Sequence, residues 1–148
     1  MTTEDVSFAF AMVAHHEQGI ALAELALKTV QDQAVRAIAQ RIIDAQSLEL
    51  RTLREWIDRF GANSSGHQDH APMTGMLSQS DMDRFATLTG EQARTEFLRL
   101  MMLHHEGAVE MAQHKLETVG DGTLTDYAKA VIVEQSAEIV RMTELQGL

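Results

Sequence analysis

The chain contains no cysteine among its 148 residues. This absence excludes disulfides, thiolate metal ligands and cysteine nucleophiles. Proline, tryptophan and tyrosine are scarce, with one residue of each. No apolar run approaches the roughly 18 residues that a membrane span requires. The polar, acidic opening of the chain is also unlike a signal peptide, so we expect no membrane insertion.

Basic residues are few as well, since 12 lysines and arginines stand against 22 acidic residues and give a net charge of −10. A surface of that sign repels phosphate backbones and anionic lipid, so nucleic acid is not an expected partner. Cations are the small partners that it favours. An apolar content of 45% is ordinary for a globular protein, and the length indicates one domain over residues 1–148.

Histidine and methionine are comparatively abundant, with seven and nine residues, and several of them recur. Shifted by 89 positions, the chain matches itself without a gap, with sixteen identities over about fifty positions. The first identities are Phe8, Met12, His15, His16 and Glu17, which fall on Phe97, Met101, His104, His105 and Glu106. The sequence therefore predicts one unit used twice, at about 5–60 and 91–146, joined by a connection of about 61–90.

Each unit is expected to form two amphipathic helices. The apolar stripe of the first helix runs through Ala9, Val13, His16, Ile20, Ala23, Leu27 and Val30, at alternating spacings of four and three. Breaks fall near Asp32 and at Gly120, and the spacing of Thr89 and Gln92 is that of a capping box. Glycine, serine and Pro72 indicate a loop over residues 61–80, with a short helix from 80 to about 88. The predicted fold is all-α, a four-helix bundle. Such bundles often associate further, which leaves a homodimer open.

The polar residues on these stripes are predicted to meet in one layer. In an antiparallel hairpin that turns near residues 30–31, His15 lies level with Gln46, and Met12 lies level with Glu49. Glu49 also interrupts an apolar run, which makes it a candidate buried carboxylate. The layer predicted from both units contains His15, His16, His104, His105, Glu49, Glu138, Gln46, Gln135, Met12 and Met101.

Two explanations of this layer remain open on the residues alone. It is a hydrogen-bonded network that fixes helix register, or a metal site, because imidazole nitrogen and carboxylate oxygen are good ligands for first-row metals. Adjacent histidines point about 100° apart on a helix, so one of each pair faces the axis and the other orients a ligand from outside. The Glu-x-x-His motif of di-iron proteins is missing, which counts against a ferritin-like metalloenzyme.

The connection offers a second set of ligands. His67, His70, Met73 and Met76 follow one another at intervals of three. Thioether sulfur is a soft ligand that selects Cu(I), and by the same logic Ag(I). Loop methionines also serve as adaptable filler against a core, so a packing role is the alternative.

The repeated Met-x-x-His-His-Glu, the Gln-x-x-Glu on the following helix and the connection with its His and Met residues resemble domain-of-unknown-function family 305. The resemblance extends from about Val6 to Met142. It implies a small, ferritin-like helical bundle of a mostly bacterial, often exported family, some of whose members handle copper or silver. The residues it implies are His15, His16, His104 and His105, with Glu49 and Glu138 as partners and the loop residues as a copper site.

The leading hypothesis is a non-enzymatic protein that binds copper or silver in an extracytoplasmic compartment. The loop residues would capture or pass the ion and the histidine layer would hold it, with Gln46, Gln135, Met12 and Met101 supporting the ligands. The alternatives are a ferritin-like metalloenzyme with a His/Glu site, and a structural or interaction bundle without metal. Because the chain shows no export signal, a cytoplasmic location is the alternative for its compartment.

Overall fold

The computed structural model describes residues 2–60 and 73–147. It contains four long helices and one short helix, and no strand occurs within these two ranges. The helices are α1 (Thr3–Thr29), α2 (Gln33–Arg59), α3 (Gln79–Ala86), α4 (Gly90–Leu116) and α5 (Gly122–Gln146). The predicted all-α bundle of four long helices is therefore confirmed. None of the helices in these ranges has the continuous apolar length that crossing a bilayer demands.

Polar side chains begin most of these helices. Thr2 and Asp5 form a capping box at α1, and Ser78 and Asp81 form one at α3. The capping box expected at the start of α4 is wrong, because the Thr89 side chain makes no cap hydrogen bond. The chain instead enters α4 through a left-handed glycine, Gly90, with a φ of 60°.

The bundle consists of two helical hairpins, α1–α2 and α4–α5, which pack together through α1 and α4. Because α1 and α4 are covered on several sides, their histidine-bearing segments are the most enclosed part of the protein. The short α3 lies against α1 and α4.

Two apolar clusters fill the interior, one toward each end of the bundle. The first includes Leu22, Ala26, Val35, Ile42, Phe85, Phe97, Leu98, Met101 and Met142. The second includes Phe8, Met12, Leu53, Trp56, Ala108, Ala112, Leu124 and Val131. On each long helix, the residues between its contributions to the two clusters are the predicted polar ones: His15 and His16, Gln46 and Glu49, His104 and His105, Gln135 and Glu138. The polar layer thus separates two dry regions.

Candidate metal site

Four histidine side chains with no exposed surface lie at the centre of the bundle: His15, His16, His104 and His105. Two of them, His15 on α1 and His104 on α4, face each other with ring centroids 3.7 Å apart and planes inclined by 33°. Within the described part of the chain, none of their four ring nitrogens has a hydrogen-bond partner of good geometry. A buried polar atom without a partner costs roughly 1–3 kcal/mol, so this pair is an expensive feature of the fold.

The central pair is held in the neutral form. Burial is the largest cause that lowers the pKa of His15, to about 3, and the nearby imidazoles of His16 and His105 lower it further; the Thr74 backbone acts in the opposite direction. Burial, followed by the charge of His15, also lowers the pKa of His104 well below its usual value. Neutral imidazole carries a free nitrogen lone pair, which is the form that binds metal ions.

The other two histidines have carboxylate partners. His16 Nε2 lies 2.5 Å from a carboxylate oxygen of Glu49, and His105 Nε2 lies 2.7 Å from one of Glu138. Both pairs join residues that are 33 positions apart. Burial would raise the pKa of Glu49, but the hydrogen bond and charge of His16 outweigh it, and the pKa is lowered. The adjacent histidines thus divide into a central pair and an outer pair that contacts carboxylates.

These contacts place the layer about one helical turn from the register estimated from the sequence. Glu49 contacts His16 instead of lying opposite Met12, and Gln46 lies against Gly19. The reason is the linker, because the extended residue Val30 ends α1 and α2 begins only at Gln33, so the hairpin turns later than assumed.

Tyr127 is a polar member of the layer that the sequence analysis missed. Its hydroxyl lies 3.0 Å from His16 Nε2 and donates to Glu49 at 3.2 Å. Burial and the Glu49 carboxylate raise the pKa of the phenol, and burial together with Glu49 raises the pKa of Glu134. Its status as the one tyrosine of the chain is the only signal that the sequence offered. The position 89 residues earlier is Ile38, so only one of the two outer pairs has this hydroxyl in the predicted repeat.

The glutamines do not complete a hydrogen-bonded network. Gln46 and Gln135 are buried, yet both amide atoms of Gln46 and the oxygen of Gln135 have no partner among the described residues. Gly19 makes room for this arrangement, because a Cβ there would stand 2.5 Å from Gln46 Oε1 and 2.9 Å from His104 Cε1. The layer therefore contains satisfied carboxylate pairs around an unsatisfied centre.

The predicted loop ligands fall partly within the described residues. Met73 and Met76 flank a turn that is closed by a hydrogen bond from Met76 N–H to the Met73 carbonyl, at 3.2 Å. Gly75, with a φ of 80°, occupies the position at which this kind of turn requires a left-handed residue. The turn therefore brings the two methionine backbones close together beside Thr74. His67 and His70 lie outside the described residues.

The remaining predicted residues surround the layer. Met12 and Met101 are fully buried, each in the apolar cluster on one side of it. Glu17 and Glu106, which follow the histidine pairs, are exposed as expected. No group of three or more His, Asp or Glu side chains in residues 2–60 and 73–147 is arranged to hold a metal ion. The nitrogen donors that are both buried and free are those of the central pair.

Comparison with known proteins assigns the chain to a family. The sequence profile of a domain of unknown function, DUF305, matches residues 5–146. The chain belongs to this family. Among curated proteins, none matches it. A DUF305 fragment from Deinococcus radiodurans has a similar structure, with 33% identity, a TM-score of 0.88, and coverage of 99% of this chain and 97% of that chain. A DUF305 protein from Streptomyces coelicolor, provisionally named as secreted, has 29% identity and a TM-score of 0.89, and the match covers 96% and 89% of the two chains.

Other similar structures belong to the protein CopM. Its Cu(II)-bound form has 27% identity and a TM-score of 0.82, with 99% of this chain and 98% of that chain covered. Its Cu(I)-bound form has 26% identity and a TM-score of 0.78, with 98% and 96% covered. CopM has also been solved in Ag-bound and apo forms. Copper and silver binding thus occurs within the family on this fold.

Proposed function

We propose that this chain binds a soft monovalent ion, Cu(I) or Ag(I), between His15 and His104, and that it handles the ion without catalysing a reaction. The observation that carries the proposal is the central pair itself, two fully buried imidazoles with rings 3.7 Å apart and four unpartnered nitrogens. A fold does not keep such atoms unsatisfied at the centre of its core without a reason. An ion between the rings would satisfy at least one nitrogen of each.

The donor set favours this class of ion over others. Structural zinc takes four ligands and magnesium or calcium takes mostly oxygen, whereas two neutral imidazoles with thioethers nearby suit a soft ion of low coordination number. The Cu(I)-bound and Ag-bound forms of CopM support the same choice. The absence of a three-residue His, Asp and Glu group in the described ranges disfavours a ferritin-like metalloenzyme.

The loop methionines supply the soft donors of the proposal. Met73 and Met76 lie on a turn whose middle residue, Thr74, reaches the His15 ring with its backbone. Thioethers at the ends of this turn would capture Cu(I) or Ag(I) and pass it to the histidines. His67 and His70, at the same spacing of three, belong to the proposed capture set.

The outer residues are proposed to position the centre. Glu49 and Glu138 hold His16 and His105 by hydrogen bonds, and these histidines back the central pair on the same helices. Gln46, Gln135, Met12 and Met101 enclose the layer. We place the protein in an extracytoplasmic compartment, where copper and silver are first met, in line with the secreted Streptomyces coelicolor relative.

The test is a competition titration of chelator-stripped protein with Ag(I), and with Cu(I) under reductant, against a chromophoric chelator. We expect sub-micromolar binding that is lost in His15→Leu/His104→Leu and weakened about tenfold or more in Met73→Leu/Met76→Leu, a loss of roughly 1.4 kcal/mol. His114→Leu is the matched control, because His114 is exposed. No competition by the wild-type protein would make the layer structural, as in the alternative of a bundle whose polar residues set register.

A further inference from the structure

Residues 73–77, here called the 73–77 segment, cross the surface of α1 and α4 beside the central histidines. One end is clamped by Gln18 on α1. Its side-chain nitrogen donates to the Leu77 carbonyl at 2.9 Å, and its side-chain oxygen accepts from the Leu77 N–H at 2.7 Å. This amide thus satisfies both backbone groups of a residue 59 positions away, and the Leu77 side chain is buried in the core.

The middle of the segment rests on a glycine of α4. A Cβ at Gly107 would stand 2.0 Å from the Thr74 carbonyl oxygen and 2.6 Å from Gly75 Cα. A Cβ at Gly75 would in turn stand 2.7 Å from Gly107 Cα and 2.8 Å from the Leu103 carbonyl oxygen. Backbone therefore lies directly on backbone here, which only glycine at both positions permits.

Both clamps stand one helical turn from a central histidine. Gln18 is three residues after His15 on α1, and Gly107 is three residues after His104 on α4, so each clamp shares a face with its histidine. Between them, the Thr74 backbone reaches the His15 ring. Positions 18 and 107 are also 89 apart, so the predicted repeat makes them equivalent. One carries an amide that grips the segment, and the other carries no side chain and receives it.

We propose that Gln18 and Gly107 are positioning residues that seat the 73–77 segment as a cover over His15 and His104, and that lifting this cover limits how fast a soft metal ion enters and leaves. The proposal rests on the proposed function for the identity of the ion, but the cover itself is testable without metal. Because the clamps do not contribute donor atoms to the site, they govern rates and leave the equilibrium affinity alone.

The first test measures histidine accessibility in the metal-free protein. Diethyl pyrocarbonate modifies neutral imidazole, and mass spectrometry of peptides reports each histidine separately. Loss of the two Gln18 hydrogen bonds in Gln18→Leu is expected to raise the modification rate of His15 and His104 about tenfold. Gly107→Ala is expected to do the same by displacing Thr74. Exposed His114 serves as the internal standard.

Matched controls separate displacement of the segment from a general effect. Gln113→Leu removes an exposed glutamine of α4, and Gly122→Ala adds a Cβ that meets nothing within 4 Å. Both should leave the modification rates at the wild-type value. Gly107→Ala guards against loss of folding, since alanine favours the helix interior that it occupies. Unchanged rates for His15 and His104 in both Gln18→Leu and Gly107→Ala would overturn the proposal.

The second test measures Ag(I) exchange by stopped flow with a chromophoric chelator. In Gln18→Leu and Gly107→Ala we expect loading and release both to accelerate about tenfold, with the dissociation constant unchanged. A weakened affinity with an unchanged loading rate would contradict the cover and make the segment part of the site itself. If wild-type protein binds no Ag(I), the proposed function fails, while the modification rates still decide whether the cover exists.

Discussion

At the scale of single residues, the four buried histidines do two different jobs. His16 and His105 have carboxylate partners, whereas His15 and His104 face each other with free nitrogens. Desolvation keeps the central pair uncharged, which removes repulsion between two adjacent imidazolium ions and leaves lone pairs for a ligand. The difference follows from helix geometry, because neighbouring residues project about 100° apart and only one of them can face the opposite helix.

This division predicts opposite effects of two equivalent substitutions on the metal-free protein. His104→Leu removes unsatisfied polar atoms and should raise the free energy of unfolding by about 1–3 kcal/mol. His105→Leu deprives Glu138 of its partner and should lower it by a similar amount. Urea unfolding of chelator-stripped protein checks both. A loss of stability in His104→Leu comparable to that in His105→Leu would mean that the central pair is an ordinary part of the hydrogen-bonded core.

At the scale of helices, the ends of the two hairpins are joined by one carboxylate. Asp5, fully buried in the first turn of α1, accepts from the backbone N–H of Asp121 at 3.1 and 3.0 Å, and Lys115 Nζ lies 3.0 Å from it. Gly120 lies so close that a Cβ there would stand 2.1 Å from Asp5 Oδ1. This connection fixes the start of α1 against the α4–α5 turn, and with it the height at which His15 meets His104.

We expect Asp5→Asn to lower the free energy of unfolding by about 3 kcal/mol, because it leaves the buried Lys115 ammonium without a counter-charge. Asp126→Asn is the matched control, since it breaks an exposed pair with Lys129 and should cost less than about 1 kcal/mol. Thermal and urea unfolding compare the two variants. Equal effects of the two substitutions would show that the Asp5 connection does not determine the packing of the hairpins.

At the scale of the whole molecule, the protein is two apolar clusters with a polar layer between them, and the layer makes stability depend on pH. The folded-state pKa of His15 is lowered to about 3 from an ordinary value of 6.5, and that of His104 is lowered in the same direction. The unfolded chain therefore binds more protons than the folded one between these values. Stability is complete above pH 6.5 and is lost as the pH falls toward 3.

Urea unfolding of the metal-free protein between pH 7 and pH 4.5 should show this loss, which His15 alone would bring to the order of 4 kcal/mol by pH 3. The pKa of Glu49 is also lowered, so its contribution has the same sign, but it is lost below about 4.5 and leaves the upper window to histidine. The slope should flatten in His15→Leu/His104→Leu. A slope in the double variant equal to that of the wild type would exclude the central pair as its source.

The sequence carried the helices and the composition of the layer further than its wiring. Periodicity and turn residues suffice for four long helices, and the interruptions of the apolar stripes by His15 and His104 mark the layer. The pairing of His16 with Glu49 needed the true length of the linker after Val30, which local patterns do not set. The contacts of Tyr127 and Gln18 join residues 111 and 59 positions apart and depend on packing, so no spacing in the chain announces them.

X-ray absorption at the copper edge of Cu(I)-loaded protein tests the central claim most directly, because it reports the atoms bound to the ion. We predict imidazole nitrogen scattering, with its outer-shell ring pattern, that disappears in His15→Leu/His104→Leu and persists in His114→Leu. An unchanged spectrum in the His15→Leu/His104→Leu double variant would place the ion elsewhere and contradict the account.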